Sequence, residues 1–306
     1  MIQPITKLVT IKPLTEHQQQ LMRLDTADGR FSLAERILAD VDTWCQEVFD
    51  DGPRSHLGAS VIGSECARHI WYTLRWFKHK RHSGRMLRLF QDGHWYEERF
   101  IEMLRGIGIN VTQVDVDGKQ MRIAAVDGHF GGSCDGVGTM PQRYGAIAGH
   151  TFLLEFKTSN TNQFTKFHDV KESKPQHWAQ MCVYGVKMNL THAIYCIVNK
   201  NDADLHFEVV ELDLPFGQQC IDKGEWIIKS PLPPPKLSDN PSDWRCKMCD
   251  HHAVCHLNQS ADVNCRSCVH ASATVNAAWY CNLWKSVIPS HEALVAGCSS
   301  HQPLQG

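Results

Sequence analysis

Three side chains in this 306-residue sequence have the types and spacing for divalent-metal chemistry. Asp135 lies in Gly131-Gly-Ser-Cys-Asp-Gly136, and Glu155 and Lys157 follow in Leu153-Leu-Glu-Phe-Lys157. Successive residues of a strand point to opposite faces, so Glu155 and Lys157 share one face while Phe156 turns to the other, buried side. A neighbouring strand or its turn that brings Asp135 beside Glu155 creates a pair of hard oxygen ligands for Mg²⁺ or Mn²⁺, with the Phe156 carbonyl as a third. Lys157 next to them can position a water or stabilise charge on an attacked phosphate. The plainer alternative is a solvated strand face that carries a glutamate and a lysine. The following segment weighs against it. Gln176, Gln180 and Tyr184 recur every four residues, hence on one helix face, while Trp178, Met181, Cys182 and Val183 make the rest apolar. An amide-bearing face on so apolar a helix is expected to abut something polar rather than bulk water, a solvent-facing stripe being the other reading.

Thirteen cysteines without a secretion signal read as metal ligands before they read as disulfides, because intracellular thiols are kept reduced. Seven of them fall between Cys246 and Cys298. Cys246, Cys249 and Cys255 form a C-x₂-C-x₅-C run that lacks a fourth ligand. Cys66, in Gly63-Ser-Glu-Cys-Ala-Arg-His-Ile-Trp-Tyr72, could supply it, and His251, His252 or His256 could do so in a zinc site. Cys265, Cys268, Cys281 and Cys298 then follow with the C-x₂-C-x₁₂-C-x₁₆-C spacing of a structural tetrahedral zinc, with His301 as the substitute ligand. A thiol-rich tail without structure is the alternative. Cys45, Cys134, Cys182, Cys196 and Cys220 read as buried structural cysteines.

Between residues 75 and 88 there are six basic side chains, Arg75, Lys78, Lys80, Arg81, Arg85 and Arg88, and no acid. Trp71, Tyr72, Trp76 and Phe77 adjoin them. Basic groups neutralise phosphates and rings stack on unpaired bases, which makes this segment a candidate surface for DNA. A solvated basic loop, with its aromatics in the core, is the alternative. The whole chain carries a formal net charge of −2, so nucleic-acid binding needs such a local patch rather than an overall positive field.

The elements that must position these residues follow from composition and periodicity. Hydrophobic residues make up 42% and charged residues 21%, which excludes disorder as a global description and allows a true core. Ser32 and Glu35 form a capping box, and apolar residues from Leu33 to Val48 recur at helical spacing, which predicts a helix over 32–49. A second helix begins at Ser64 as N-cap, with Cys66 in its first turn, and a third covers about 86–105. From Asn110 the period changes. Segments 110–116, 120–126 and 129–137, separated by Asp-Gly turns, predict consecutive antiparallel strands as a meander. A strand over 152–157, a helix over 175–188 and strands over 192–199 and 205–212 complete an α/β order. Pro231 to Pro235 predicts an extended linker, which leaves 259–306 as a small module and residues 1–30 as a loose N-terminal arm. No stretch is long and apolar enough to span a membrane, and the N-terminus has no signal-peptide pattern, so a soluble cytoplasmic protein is expected.

Asp135, then Glu155-Phe156-Lys157, then Gln180-Met-Cys-Val-Tyr184 on the next helix together resemble the PD-(D/E)XK nuclease superfamily, in particular its RecB-like branch with the Gln-x-x-x-Tyr motif. Gly93-His-Trp-Tyr-Glu97 resembles the branch's upstream Gly-x-x-x-Glu segment, although Glu98 is adjacent and Glu102 lies one turn on. The resemblance covers about residues 60–256. It implies a restriction-endonuclease-like α/β core, a mixed central sheet flanked by helices, over 31–258. It further implies hydrolysis of DNA phosphodiesters with Mg²⁺ or Mn²⁺ held by Asp135 and Glu155, Lys157 assisting, Gln180 and Tyr184 beside the site and Glu97 adding a carboxylate. In members of this branch, among them CRISPR-associated nucleases, one N-terminal cysteine and a C-terminal cysteine triplet bind a [4Fe–4S] cluster, which implies that ligand set for Cys66, Cys246, Cys249 and Cys255. Exonuclease action on linear DNA ends or single strands, of the sort used in phage recombination or repair beside a single-strand annealing or recombination protein, is the first expectation. An endonuclease or a CRISPR-adaptation role is the second. A DNA-binding or partner-binding protein that keeps the fold without its chemistry is the third.

Overall fold

Buried apolar residues dominate 152–156 and 193–198, and the central sheet is built on them. In a computed structural model, residues 13, 15, 16, 33–79 and 81–304 are described; the expected N-terminal arm, Ser32 and Lys80 lie outside them or nearly so. The chain divides into two compact units, Met1–Asp50 with His82–Leu89, and Asp51–Arg81 with Phe90–Gly306. In the first unit, helix α1 (Leu33–Phe49) leaves Leu38, Val41, Trp44 and Val48 exposed. The start of α3 (Gly84–Gly106) lies so close to it that a Cβ on Gly84 would fall 2.4 Å from Asp42 Cα.

The second unit holds a five-stranded mixed sheet. Strands β2 (Asn110–Thr112), β5 (Gly136–Thr139), β6 (Thr151–Ser159), β7 (His192–Asn199) and β8 (Leu205–Glu211) lie in the order β2-β5-β6-β7-β8. Only the β6–β7 pair is parallel. A parallel pair needs a crossover, and α4 (Pro175–Met188) supplies it, with Pro175 in its first turn and Asn189 in the left-handed conformation as C-cap. Phe152, Leu154 and Phe156 pack on one side of the sheet, where the Phe100 ring of α3 stacks on Phe156 at 5.1 Å. Leu153, Tyr195 and Ile197 face α4 on the other side. Glu155 and Lys157 therefore sit under α4, on the face that the strand period assigns them.

The expected meander forms in part: β3 (Arg122–Ala125) pairs antiparallel with β4 (Phe130–Ser133), and Val114 bridges Gln120 across the first turn, but β2 continues along β5 while β3 and β4 lie in a separate sheet of order β1-β4-β3, with β1 (Leu57–Gly58) parallel to β4. The segment expected as one strand over 129–137 is broken at Cys134-Asp135, which frees Asp135 from both ladders. The second helix, α2 (Ala67–Leu74), starts two residues later than expected, with Cys66 as N-cap accepting from the His69 N–H. A further helix, α5 (Leu214–Lys229), lies against α4 so closely that Gly217 has no room for a Cβ, which would be 2.3 Å from the Cys182 carbonyl.

Residues 259–304 include a three-stranded sheet of β9 (Ala271–Ala273), β10 (Trp279–Cys281) and β11 (Ser286–Val287) and a short helix α6 (His291–Ala296). They belong to the second unit rather than to a module of their own. Arg266, 1% exposed, lies 3.8 Å from the Trp76 ring centre and 4.8 Å from that of Trp279, and donates to the Leu74 and Ser55 carbonyls. Arg75 packs against Trp71 and Trp279 from the other segment and donates to the Ala271 carbonyl at 2.9 Å. No helix among the described residues is long and apolar enough to cross a membrane.

Candidate active site

Strand register brings the two carboxylates together. The β5–β6 ladder pairs Gly136 with Leu154, so Asp135, one step beyond its end, falls beside Glu155. Asp135 Oδ2 accepts the Phe156 N–H at 2.8 Å and lies 3.9 Å from Lys157 Nζ. The Lys157 ammonium pairs with Glu155 Oε1 and donates to the Phe156 carbonyl at 3.0 Å. Glu155 is fully buried, and its Oε2 has no hydrogen-bond donor among the described residues. Burial pushes the Glu155 carboxyl above the ordinary range; Lys157 opposes that and Asp135 adds to it. Burial opposes the charge on Lys157, but Glu155 and Asp135 outweigh it and hold the ammonium above an ordinary lysine. Glu97 of α3 completes the group: burial, then the Asp135 charge, pushes it up to about 7, with Lys157 opposing. Glu98 and Glu102 are exposed. Buried carboxylates that crowd one another around a single ammonium suit a divalent cation. As the side chains stand, no group of three His, Cys, Asp or Glu among the described residues is closed enough to hold an ion.

Gln180 and Tyr184 act on the site from behind. The Tyr184 hydroxyl donates to the Ser133 carbonyl at 2.7 Å and accepts from Gln180 Nε2 at 3.2 Å. Both side chains thereby grip the end of β4, two residues before Asp135, and neither reaches Lys157 by a hydrogen bond. Gly132 permits this approach, because a Cβ there would lie 2.5 Å from the Tyr184 hydroxyl.

A cleft of about 830 Å³ opens over these groups, lined by Glu97, Asp135, Lys157, Gln180 and Tyr184. It also holds residues that the sequence reading missed. His177 shares a 2.6 Å hydrogen bond with the Tyr195 hydroxyl, and burial followed by the charges of Lys157 and Lys174 lowers its imidazole to about 3. Positions 177, 180 and 184 stand at i, i+3 and i+7, a helix stripe that could have singled out His177. Arg54, His56 and Arg122 come from the loop before β1 and from β3; one arginine on a short strand and another in a loop carry no sequence signal.

The basic segment is not one surface. Arg75 is buried in the contact with Trp279, a correction that follows from the aromatic faces on both sides of it. Lys78 pairs with Asp262 at 2.8 Å, and Arg88 pairs with Asp42. Arg81 and Arg85 are exposed, and Lys80 lies outside the described residues.

Each of the two cysteine sets converges on one cavity. Cys66, Cys246, Cys249 and Cys255 line a cavity of about 570 Å³ with His69, His251, His252 and His256. Burial raises the Cys249 thiol, Cys66 and Cys255 adding to it, and His69 Nδ1 lies 3.4 Å from its sulfur. Cys265, Cys268, Cys281 and Cys298 line a smaller cavity with His270 and His301. His301 is bound to Ser267 at 3.0 Å. Burial raises the Cys265 thiol, and Cys298, Cys268 and Cys281 raise it further. No cysteine is in a disulfide among the described residues.

No protein-family model matches the chain, and no curated protein matches it in sequence. Similar solved structures include SSO0001, at TM-score 0.43 and 13% identity over 74% of this chain and 98% of that one. The alkaline exonuclease LHK-Exo of Laribacter hongkongensis is similar at TM-score 0.40 and 16% identity, over 60% of this chain and 90% of its own. Its complex with dAMP gives the same score and identity over 89% of that chain. At this distance none of them assigns the chain to a family.

Proposed function

We propose that the chain is a metal-dependent deoxyribonuclease of the PD-(D/E)XK kind that hydrolyses phosphodiester bonds from DNA ends. The observation that carries this reading is the ammonium of Lys157, in contact with the buried Glu155 and 3.9 Å from Asp135. Asp135, Glu155 and the Phe156 carbonyl would hold Mg²⁺ or Mn²⁺, with Glu97 as a further carboxylate. The bound ion supplies a Lewis acid for phosphate oxygens and makes water more acidic. Lys157, held protonated, serves as a donor to the phosphate oxygens where charge develops as water adds to phosphorus and the sugar oxygen departs. His177, held neutral, presents an imidazole to the cleft without adding a charge. Gln180 and Tyr184 are positioning residues that fix Asp135 through Ser133.

The cysteines supply structure in this reading. Four thiols around a roughly 570 Å³ cavity suit a [4Fe–4S] cluster held by Cys66, Cys246, Cys249 and Cys255, which would tie the start of α2 to the segment after α5. The tighter second set suits zinc on Cys265, Cys268, Cys281 and Cys298. End resection places such an enzyme in phage-type recombination or repair, beside a single-strand annealing protein.

The test is incubation of the purified protein with linear and circular DNA in Mg²⁺, Mn²⁺ or chelator, next to Asp135→Ala. Degradation of linear DNA alone is expected. Nicking of circles makes the protein an endonuclease, and tight retention of DNA with no cleavage makes it a binding protein on the same fold. Iron and zinc content with an absorption spectrum tests the cysteine assignment: iron is expected to be lost on Cys249→Ser and zinc on Cys268→Ser.

A further inference from the structure

A second set of side chains lines the same cleft as Asp135 and Lys157, and hydrolysis as described makes no use of it. Arg54, His56 and Arg122 stand there beside Asp51. Burial, and then the charges of Arg122, Arg54 and Arg266, hold the His56 imidazole below its ordinary value. Arg266 is spent on the Trp76 and Trp279 rings and on the Leu74 and Ser55 carbonyls. Arg54 and Arg122 are different: both are exposed, and neither guanidinium has a hydrogen bond or ion pair among the described residues. Asp51, Glu97 and Asp135 line the same cleft, but none of them pairs with either guanidinium, so both remain available to an anion.

The loop that carries them is held from several sides. The Arg54 carbonyl accepts from the Trp76 indole at 3.0 Å, the Ser55 carbonyl accepts from Arg266, and Leu57 donates to the His129 carbonyl at 2.7 Å. Arg122 is fixed by the β3–β4 ladder, where it pairs with Ser133. Contacts that are already ordered lose little freedom on binding, which is what an oriented grip on a polyanion needs.

We propose that Arg54 and Arg122, with His56 as a hydrogen-bonding neighbour, hold a backbone phosphate of the DNA strand next to the one being cut. The cysteine-rich C-terminal segment positions this grip through Arg266. That the neighbouring phosphate is the scissile one rests on the nuclease reading; the phosphate contact does not.

The experiment measures binding of a fluorescent single-stranded oligonucleotide of about 12 nucleotides to the full chain in chelator, across a salt series. Arg54→Gln and Arg122→Gln are each expected to weaken binding about fivefold to tenfold. Each should reduce the slope of log affinity against log salt by about 0.7, the value for one lost contact to a single-stranded phosphate. Arg122→Lys, which keeps the charge, is expected to keep the slope, and Lys187→Gln at the far end of α4 to change neither quantity. Thermal melting confirms that the variants are folded. Glutamine variants that bind with wild-type affinity and slope overturn the proposal, as does a wild-type chain that does not bind the strand. Wild-type cleavage of linear DNA alongside unaltered binding by the variants removes the grip and leaves the nuclease. Binding with the expected slopes but no cleavage removes the nuclease and leaves the grip.

Discussion

The acidic residues of the cleft are under strain that a cation would release. Glu97 and Glu155 both take up protons more readily in the folded chain than an unfolded carboxylate does. The stability they contribute is full below the ordinary carboxylate range and is lost as pH rises through about 7 for Glu97. A divalent ion should offset that loss. Mn²⁺ at about 100 times its Kd, adding about 2.7 kcal/mol, should raise the melting temperature more at pH 8 than at pH 6, and Asp135→Asn should lack the increment. Differential scanning calorimetry at the two pH values checks this. Lys157→Met leaves Glu155 buried without its partner. It should cost roughly 1–3 kcal/mol at pH 8 by urea titration, less at pH 6 where Glu155 takes a proton, and at least about a hundredfold in cleavage rate. Asp135, Glu155 and Lys157 were legible in the sequence because strand period two and hard-ligand chemistry fix their types. His177 shares the helix stripe of Gln180 and Tyr184, but its bond to Tyr195 across the sheet has no counterpart in sequence spacing.

Among the elements, those with uninterrupted periodicity were read best. The helix expected over 175–188 and the strand over 192–199 have those bounds in the structure, because α4 is capped by Pro175 and Asn189 and β7 is apolar on both faces. The helix α5 was missed because Pro215, Gly217 and Gly224 suppress its helical propensity; Gly217 is there for close packing. Gly217→Ala should therefore destabilise the protein by about 1–3 kcal/mol although alanine favours helices, and a chemical denaturation curve measures it. The meander holds only in part, for a different reason. Asp-Gly turns predict that the chain reverses, but not which partner each strand takes, and here the sheet of β3 and β4 splits away from β2 and β5. That split leaves Asp135 at a break between β4 and β5. Tyr184→Phe, which removes the bond to the Ser133 carbonyl, should lower activity more than stability, about 1 kcal/mol being at stake in the fold.

At the scale of the whole molecule, sequence spacing misjudged how its parts are joined. The linker-like run from Pro231 to Pro235 suggested a small module after residue 258, with its contacts left open; in the structure Trp279 is buried between Arg75 and Arg266, with His129 beside it. The basic segment was misread for the same reason: nothing in the order of residues shows that Arg75 and Trp279 meet across 204 positions. Trp279→Ala should cost about 3–5 kcal/mol, and a chain cut after residue 258 should aggregate rather than yield a free nuclease domain, as size-exclusion chromatography can show.

The aromatic face around α2 is thus sealed by residues that follow it by about two hundred positions. A ribosome releases the chain from the N-terminus at roughly 5–20 residues per second. Until Arg266 and Trp279 have emerged, Trp76 waits without the guanidinium that covers it and the loop bearing Arg54 without its brace, so the cleft cannot be completed in step with its own strands.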